Sequence, residues 1–383
     1  MKRTAFALIS LFFCCHVLAD APFAASAQDL LAEAAKLKKA AGLSAAIWKD
    51  GAVAWEGAVG FADLENEVPA RPDMVHRIAS ISKPITATAV MQLVEQGKLD
   101  LDAPIQTYVP TFPKKEQGEV LVWHLLSHTA GVRHYRGGAE ANAMEHFTNS
   151  LSAMGKFKDD PIGFAPGSKF HYSTYGYTVV ATALEEASGE KLGDYLQAHV
   201  WEPAGMKSTY LELRGVIVPR RSRGYDLNPK GERLNAVYTD NSVRYAGGGM
   251  ISTVGDLVRF AGAVQNGTLL KQETFARMLQ PIELADGKKS MYALGWNVDE
   301  WDVIGRIIFH SGGQAGTSTH LLSCLDKGVA VAVISNTNGE SGLGEVCTLL
   351  ANIALGLPPP PGLKIEPEKT LSERMKEQQQ EKK

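Results

Sequence analysis

The chain has no concentrated run of lysine and arginine, and its formal charge is only -3 over 383 residues. Neutralising nucleic-acid phosphates requires clustered cations, so the composition argues against a nucleic-acid surface and for small molecules or peptides as partners. Metal signatures are missing as well. His124 and His128 have the helical spacing of a zinc pair, but the glutamate of a His-Glu-x-x-His motif is absent, so they read as structural histidines and no metal is expected. Gly247-Gly248-Gly249 lacks the lysine of a phosphate loop and the spacing of a dinucleotide fingerprint, which leaves close backbone packing as its explanation and no cofactor to expect. Cysteine is limited to four residues.

The opening residues read as a targeting segment. Lys2 and Arg3 precede an uncharged stretch from Thr4 to Leu18 that is too short to span a bilayer comfortably. Small-residue cleavage patterns end at Ala19 and Ala27, so residues 1–27 are assigned as a signal peptide removed at one of these points. A periplasmic or secreted protein without an integral membrane span is expected. Cleavage leaves Cys324 and Cys347, either as a disulfide or as two buried thiols, since sequence does not fix their separation.

With 45% hydrophobic residues the remainder can bury a large core. Asp29 to Ala41 predicts an opening helix, and two β-prone runs flanking Asp50-Gly51 predict a hairpin. Residues 81–98 predict a further helix, and the middle of the chain to about residue 275 alternates short helices with turns. Strand character returns in DVIGRIIFHSG, TSTHLLSCL and GVAVAVISN, before a final helix over Gly344 to Leu355. The pattern predicts an α/β (α+β) fold in which both termini build one antiparallel sheet around a mainly helical insertion. The domain is placed at residues 28–357, followed by a stiff extended spacer at Pro358 to Pro361 and a charged tail to Lys383 expected to be disordered or only transiently helical.

The sharpest chemical feature is Ser80-Ile81-Ser82-Lys83. Three-residue spacing on a helix brings a hydroxyl beside an amine, and an amine whose charged form is disfavoured by burial and by the helix N-terminus can activate serine. Ser188-Gly189-Glu190-Lys191 repeats the spacing but sits at a helix break. The first copy opens an amphipathic helix.

RIASISKPITATAVMQLVEQGKLDLD, HLLSHTAGV, FHYSTYGY, WEPAGMKST, YAGGGMISTVGDLVRF, YALGW, FHSGG and VISNTNG occur in one order along the chain. In these stretches it resembles the serine β-lactamase and penicillin-binding superfamily, class C-like branch, and within it the mitochondrial serine β-lactamase-like proteins and their bacterial relatives. The resemblance implies a β-lactamase/transpeptidase-like fold, Ser80 as nucleophile, Lys83 as general base and Tyr172 as proton relay. It also implies an oxyanion hole from the backbone N–H groups of Ser80 and Gly313, and substrate contacts from Thr174, His310, Ser311 and Gly312.

Two departures from the family pattern bear on substrate. Tyr172-Ser173-Thr174 replaces Tyr-x-Asn, and His310-Ser311-Gly312 replaces a Lys-Thr-Gly or Lys-Ser-Gly whose cation meets a substrate carboxylate. Both favour an acyl hydrolase acting on a small ester, amide or peptide whose carboxylate is absent or less important. The alternatives are a weak class C-like β-lactamase or D-Ala-D-Ala carboxypeptidase, and a penicillin-binding-like sensor or scaffold with little turnover.

Overall fold

In the computed structural model, residues 21–339, 342–370 and 373 are described. The expected signal segment up to Asp20 and nearly all of the tail beyond Thr370 lie outside them. The principal elements are α1 (Ala24–Leu37), β1 (Gly42–Lys49), β2 (Ala52–Asp63), β3 (Val68–Pro69), α2 (Ser82–Glu95), α3 (Thr174–Ser188), α4 (Val254–Gln265), β4 (Asn297–Trp301), β5 (Gly305–Gln314), β6 (Thr317–Cys324), β7 (Val329–Ser335) and α5 (Gly344–Leu355).

One seven-stranded sheet has the order β4-β5-β6-β7-β1-β2-β3, with every neighbouring pair antiparallel. Asp50 and Gly51 both take positive φ, 54° and 79°, which makes the tight turn of the expected β1–β2 hairpin. The N-terminal hairpin pairs with β7, Ala46 opposite Ala332, so the two ends of the chain close one sheet. Strand β4 is an addition that the sequence reading missed. Its residues NVDEW carry no apolar run because it is a polar edge strand with no fully buried residue.

Strands β6 and β7 are buried along their whole length because both faces of the sheet are covered. Along β7, Val329, Val331 and Val333 face one core with Leu31 of α1 and Leu350 of α5, whereas Ala330, Ala332 and Ile334 face the other, under α4 and the helical insertion. In that second core, α2 and α3 lie deeply buried and bring their N-termini towards β5.

Cys324 and Cys347 are free buried thiols, and Cys347 Sγ lies 3.6 Å from the His320 carbonyl, which takes up its S–H. Ala27 is wholly buried inside α1, so cleavage after it would cut through a packed helix, whereas the site after Ala19 spares it. The tail is not disordered from Lys364: Ile365 joins the core under α1, and the Glu368 N–H donates to the Leu37 carbonyl at 2.9 Å.

Burial of histidine sets an acid limit on this fold. His76, held between Ser44 and Ser222, and His320 are both pushed down from 6.5 to about 4 by desolvation. Between these values the unfolded chain binds protons that the folded chain refuses, so stability is lost as pH falls from 6.5 through 4, by roughly 3 kcal/mol for each such group. Urea midpoints measured at pH 7 and pH 4.5 should differ accordingly, and equal midpoints would contradict neutral buried imidazoles.

Candidate active site

Ser80 lies in a 3-10 turn, Ala79–Ile81, that runs directly into α2. The turn is strained: Ala79 has φ of 46°, a conformation that non-glycine residues seldom adopt. Ser82 holds it, its Oγ donating to the Ala79 carbonyl at 2.7 Å and accepting the Met250 N–H at 3.3 Å. Thr319 of β6 donates from Oγ1 to the Ile78 carbonyl at 3.1 Å, which fixes the approach to Ser80 against the sheet.

One turn along α2, Lys83 Nζ lies 3.1 Å from Ser80 Oγ, 3.2 Å from Thr174 Oγ1 and 2.6 Å from the Gly247 carbonyl. The side chain is fully buried and packs over the ring of Tyr172, 4.6 Å from its centroid. Among the described residues it has no ion-pair partner. Burial first, and then the nearby Arg244 charge, hold its pKa well below the ordinary 10.5. An uncharged amine has two N–H donors and one lone pair. With its donors spent on Gly247 and Thr174, the lone pair is left for the Ser80 hydroxyl proton.

Tyr172 immediately precedes the cap of α3. Ser173 Oγ accepts the Gly176 N–H at 3.1 Å and donates to the Arg133 carbonyl at 2.7 Å, which sets the entry angle of the chain. Tyr172 lines the same cleft as Ser80, and burial raises its pKa far enough that it remains an O–H near neutrality. It is therefore a proton donor rather than the resting base. His128 and His134 accept the backbone N–H groups of Ser173 and Thr174 through Nδ1, each at 3.2 Å. His124 likewise accepts the Leu121 N–H through Nδ1 at 3.0 Å.

The opposite wall is β5. Ser311, Gly312 and Gly313 line a cleft of about 250 Å³ together with Ser80, Tyr172 and Thr174. His310 does not line it. It is buried behind the wall, where Nδ1–H donates to the Ser311 carbonyl at 2.6 Å and Nε2 accepts the Tyr292 hydroxyl at 3.0 Å. Burial pushes its pKa down to about 3. A direct substrate contact from His310 is thus corrected: the ring is a neutral brace for β5, with both nitrogens already engaged.

A family model described as Beta-lactamase matches residues 27–355. The chain belongs to the Beta-lactamase family. It is 34% identical over 389 residues to the serine beta-lactamase-like protein LACTB, mitochondrial, of Homo sapiens, covering 78% of this chain and 71% of that protein. It is also 28% identical over 308 residues to penicillin-binding protein 4* of Bacillus subtilis (strain 168), covering 76% and 67%. The solved octameric penicillin-binding protein homologue from Pyrococcus abyssi superposes with a TM-score of 0.74 at 24% identity, covering 88% of this chain and 79% of that one, a likeness of fold. The Beta-lactamase family to which the chain belongs is one of serine hydrolases with this fold.

In this member of the Beta-lactamase family the glycine triplet has a part that sequence reasoning did not foresee. Gly247 supplies the carbonyl that anchors Lys83, and a Cβ there would come within 2.8 Å of Thr174 Cγ2. His134, Tyr135, Arg244 and Gln314 also line the cleft. His134 and Tyr135 end the stretch HTAGVRHY, while Arg244 and Gln314 each stand one residue outside a recognised stretch, but none of the four was assigned to the site from sequence. A cavity of about 300 Å³ beside Arg77 and Arg221 is of similar size, but those arginines are paired with Glu212 and no serine–lysine pair lines it.

Two adjacent glycines should respond differently to alanine. A Cβ on Gly312 would stand 2.4 Å from Thr319 Oγ1 and 2.8 Å from the Ser80 nitrogen, whereas one on Gly313 meets only Asn338 Oδ1 at 3.7 Å. Gly312→Ala pushes β5 away from the nucleophile turn and is expected to cut kcat/KM by roughly 100-fold or more, the scale of losing one oxyanion donor. Gly313→Ala should be much milder. Equal losses in the two variants would mean that the close approach at Gly312 has no bearing on the reaction.

Proposed function

We propose that the protein is a serine acyl hydrolase of the peptidase or esterase type, acting through a covalent acyl-Ser80 intermediate after export from the cytoplasm. The observation that carries this reading is the Lys83 amine, buried without a counter-ion 3.1 Å from Ser80 Oγ. Lys83 takes the Ser80 proton as Oγ bonds to the substrate carbonyl carbon, and the backbone N–H groups of Ser80 and Gly313 hold the developing oxyanion. On collapse the carbon–leaving-group bond breaks, and the proton passes from Lys83 through the Tyr172 hydroxyl to the departing atom. Water then attacks the acyl carbon, gives its proton to the same pair, and releases the acid with Ser80 restored.

The recessed, neutral His310 leaves the β5 wall without the cation that a dedicated β-lactamase or D-Ala-D-Ala carboxypeptidase would present there to a substrate carboxylate, and this argues against those alternatives. A sensor or scaffold would have no physical need for an uncharged lysine held against a serine. The test is ester turnover by the purified chain, combined with labelling by an electrophilic phosphonate and mass analysis of the modified peptide. Label on Ser80 with ester turnover supports the reading. Cephalosporin turnover as fast as that of simple esters would move it to the β-lactamase alternative, and absence of label would remove it. Fractionation that finds the mature chain in the cytoplasm would remove the exported location.

A further inference from the structure

The Ser80 cleft is rich in hydrogen-bond donors and poor in acceptors, and the excess gathers at one place. Arg244 is buried with 4% of its surface exposed, yet it lines the cleft. Its Nε donates to Asn241 Oδ1 at 2.7 Å and one terminal nitrogen donates to the Tyr135 hydroxyl at 3.2 Å. Both partners are neutral, and among the described residues no carboxylate pairs with it. A buried guanidinium without a counter-ion is costly unless something anionic comes to it.

The neighbouring groups repeat the pattern. Tyr135 accepts from Arg244, so its own proton is free to donate. His134 accepts the Thr174 N–H on Nδ1, which places the ring proton on Nε2. The side-chain amide nitrogen of Gln314 is buried without any partner. A Cβ on Gly248 would lie 3.6 Å from Arg244 Cδ and 3.8 Å from Gln314 Oε1, with the Ala79 carbonyl carbon 3.9 Å away. Gly248 is thus the gap between these donors, next to the nucleophile turn. None of the described residues lining the cleft is acidic.

We propose that Arg244 is the specificity-determining residue of this cleft and holds a carboxylate carried by the substrate, so that anionic esters or amides are the preferred class. The proposal rests on the serine-hydrolase reading of Ser80. It moves the anion-binding cation away from β5, where His310 is neutral and engaged, to the Asn241–Arg244 turn on the other side of the cleft. The expectation that a substrate carboxylate is unimportant is replaced accordingly.

Two pairs of esters test this. The mono-4-nitrophenyl ester of adipic acid against 4-nitrophenyl hexanoate places the charge on the acyl part, and 4-acetoxybenzoate against its methyl ester places it on the leaving group. In at least one pair the wild-type kcat/KM ratio of anionic to neutral ester should be about tenfold or more, and that ratio should fall about tenfold in Arg244→Gln, the scale of a charge-assisted hydrogen bond. Arg244→Lys, which keeps the charge but not the fork, should give an intermediate ratio. In the unsubstituted chain, free adipate or 4-hydroxybenzoate should inhibit neutral-ester turnover competitively, a readout that needs no folded variant. Ratios near one in both pairs, or a ratio unaltered by Arg244→Gln, overturn the proposal. Absence of Ser80-dependent turnover of even the neutral esters would instead overturn the hydrolase reading itself.

Discussion

Ser80→Ala is expected to lower ester kcat/KM by roughly 10^4-fold or more, because no other group can form the acyl intermediate. The substitution removes one oxygen whose hydrogen-bond partner is Lys83, and leaves the strained turn held as before by Ser82. The thermal midpoint should therefore change little, which separates loss of chemistry from loss of fold. Phosphonate labelling should vanish with turnover. A variant that still hydrolyses esters at the parental rate would transfer the reaction to another residue, and the Lys83 geometry would then need a structural explanation.

Lys83→Arg should be nearly as damaging, about 10^3-fold, the scale of losing a general base. Arginine remains protonated, and its larger head must enter a site already closed by the Tyr172 and Tyr177 rings and the Gly247 carbonyl. The wild-type pH profile carries the complementary evidence. Burial and Arg244 lower the Lys83 pKa, so the uncharged form accumulates at a pH well below 10.5. Ester kcat/KM should rise as that proton leaves and then level off, whereas the arginine variant should show no such rise. The same shift affects stability. Between the folded value and 10.5 the unfolded chain holds one more proton, so stability increases with pH across that window, and the cost of burying this lysine is greatest at and below its lower end. Lys83→Met, although inactive, should match or exceed the wild type in urea midpoint at pH 7. A large destabilisation by methionine would show that the lysine is charged and paired in the folded chain.

Local patterns carried most of the fold and the centre of the site. The Asp50-Gly51 turn, the helix following Ser80 and the final helix at Gly344–Leu355 are each written in short-range sequence, and the structure contains them. Strand β4 was illegible because a polar edge strand has no periodicity to read. The role of His310 was misjudged for a different reason. A motif position specifies where the backbone runs, but whether an imidazole faces solvent or a buried tyrosine depends on Tyr292, eighteen residues away and invisible to the motif. Arg244 and His134 were missed because their relation to Ser80 exists only after the helical insertion folds back over α2. The tail was misread because Ile365 is a single apolar residue in a charged setting, and its burial depends on a surface supplied by α1.

Closure of the sheet by the N-terminal hairpin against β7 imposes an order on synthesis. Ser80 and Lys83 leave the ribosome early, but Gly313 follows more than two hundred residues later and is positioned only when β6 and β7 join β1. An incomplete chain can hold the hydroxyl and the amine yet has nothing to receive the charge that forms on the carbonyl. A nascent chain therefore carries Ser80 and Lys83 before the wall that completes their cleft, which arrives only with the last strands.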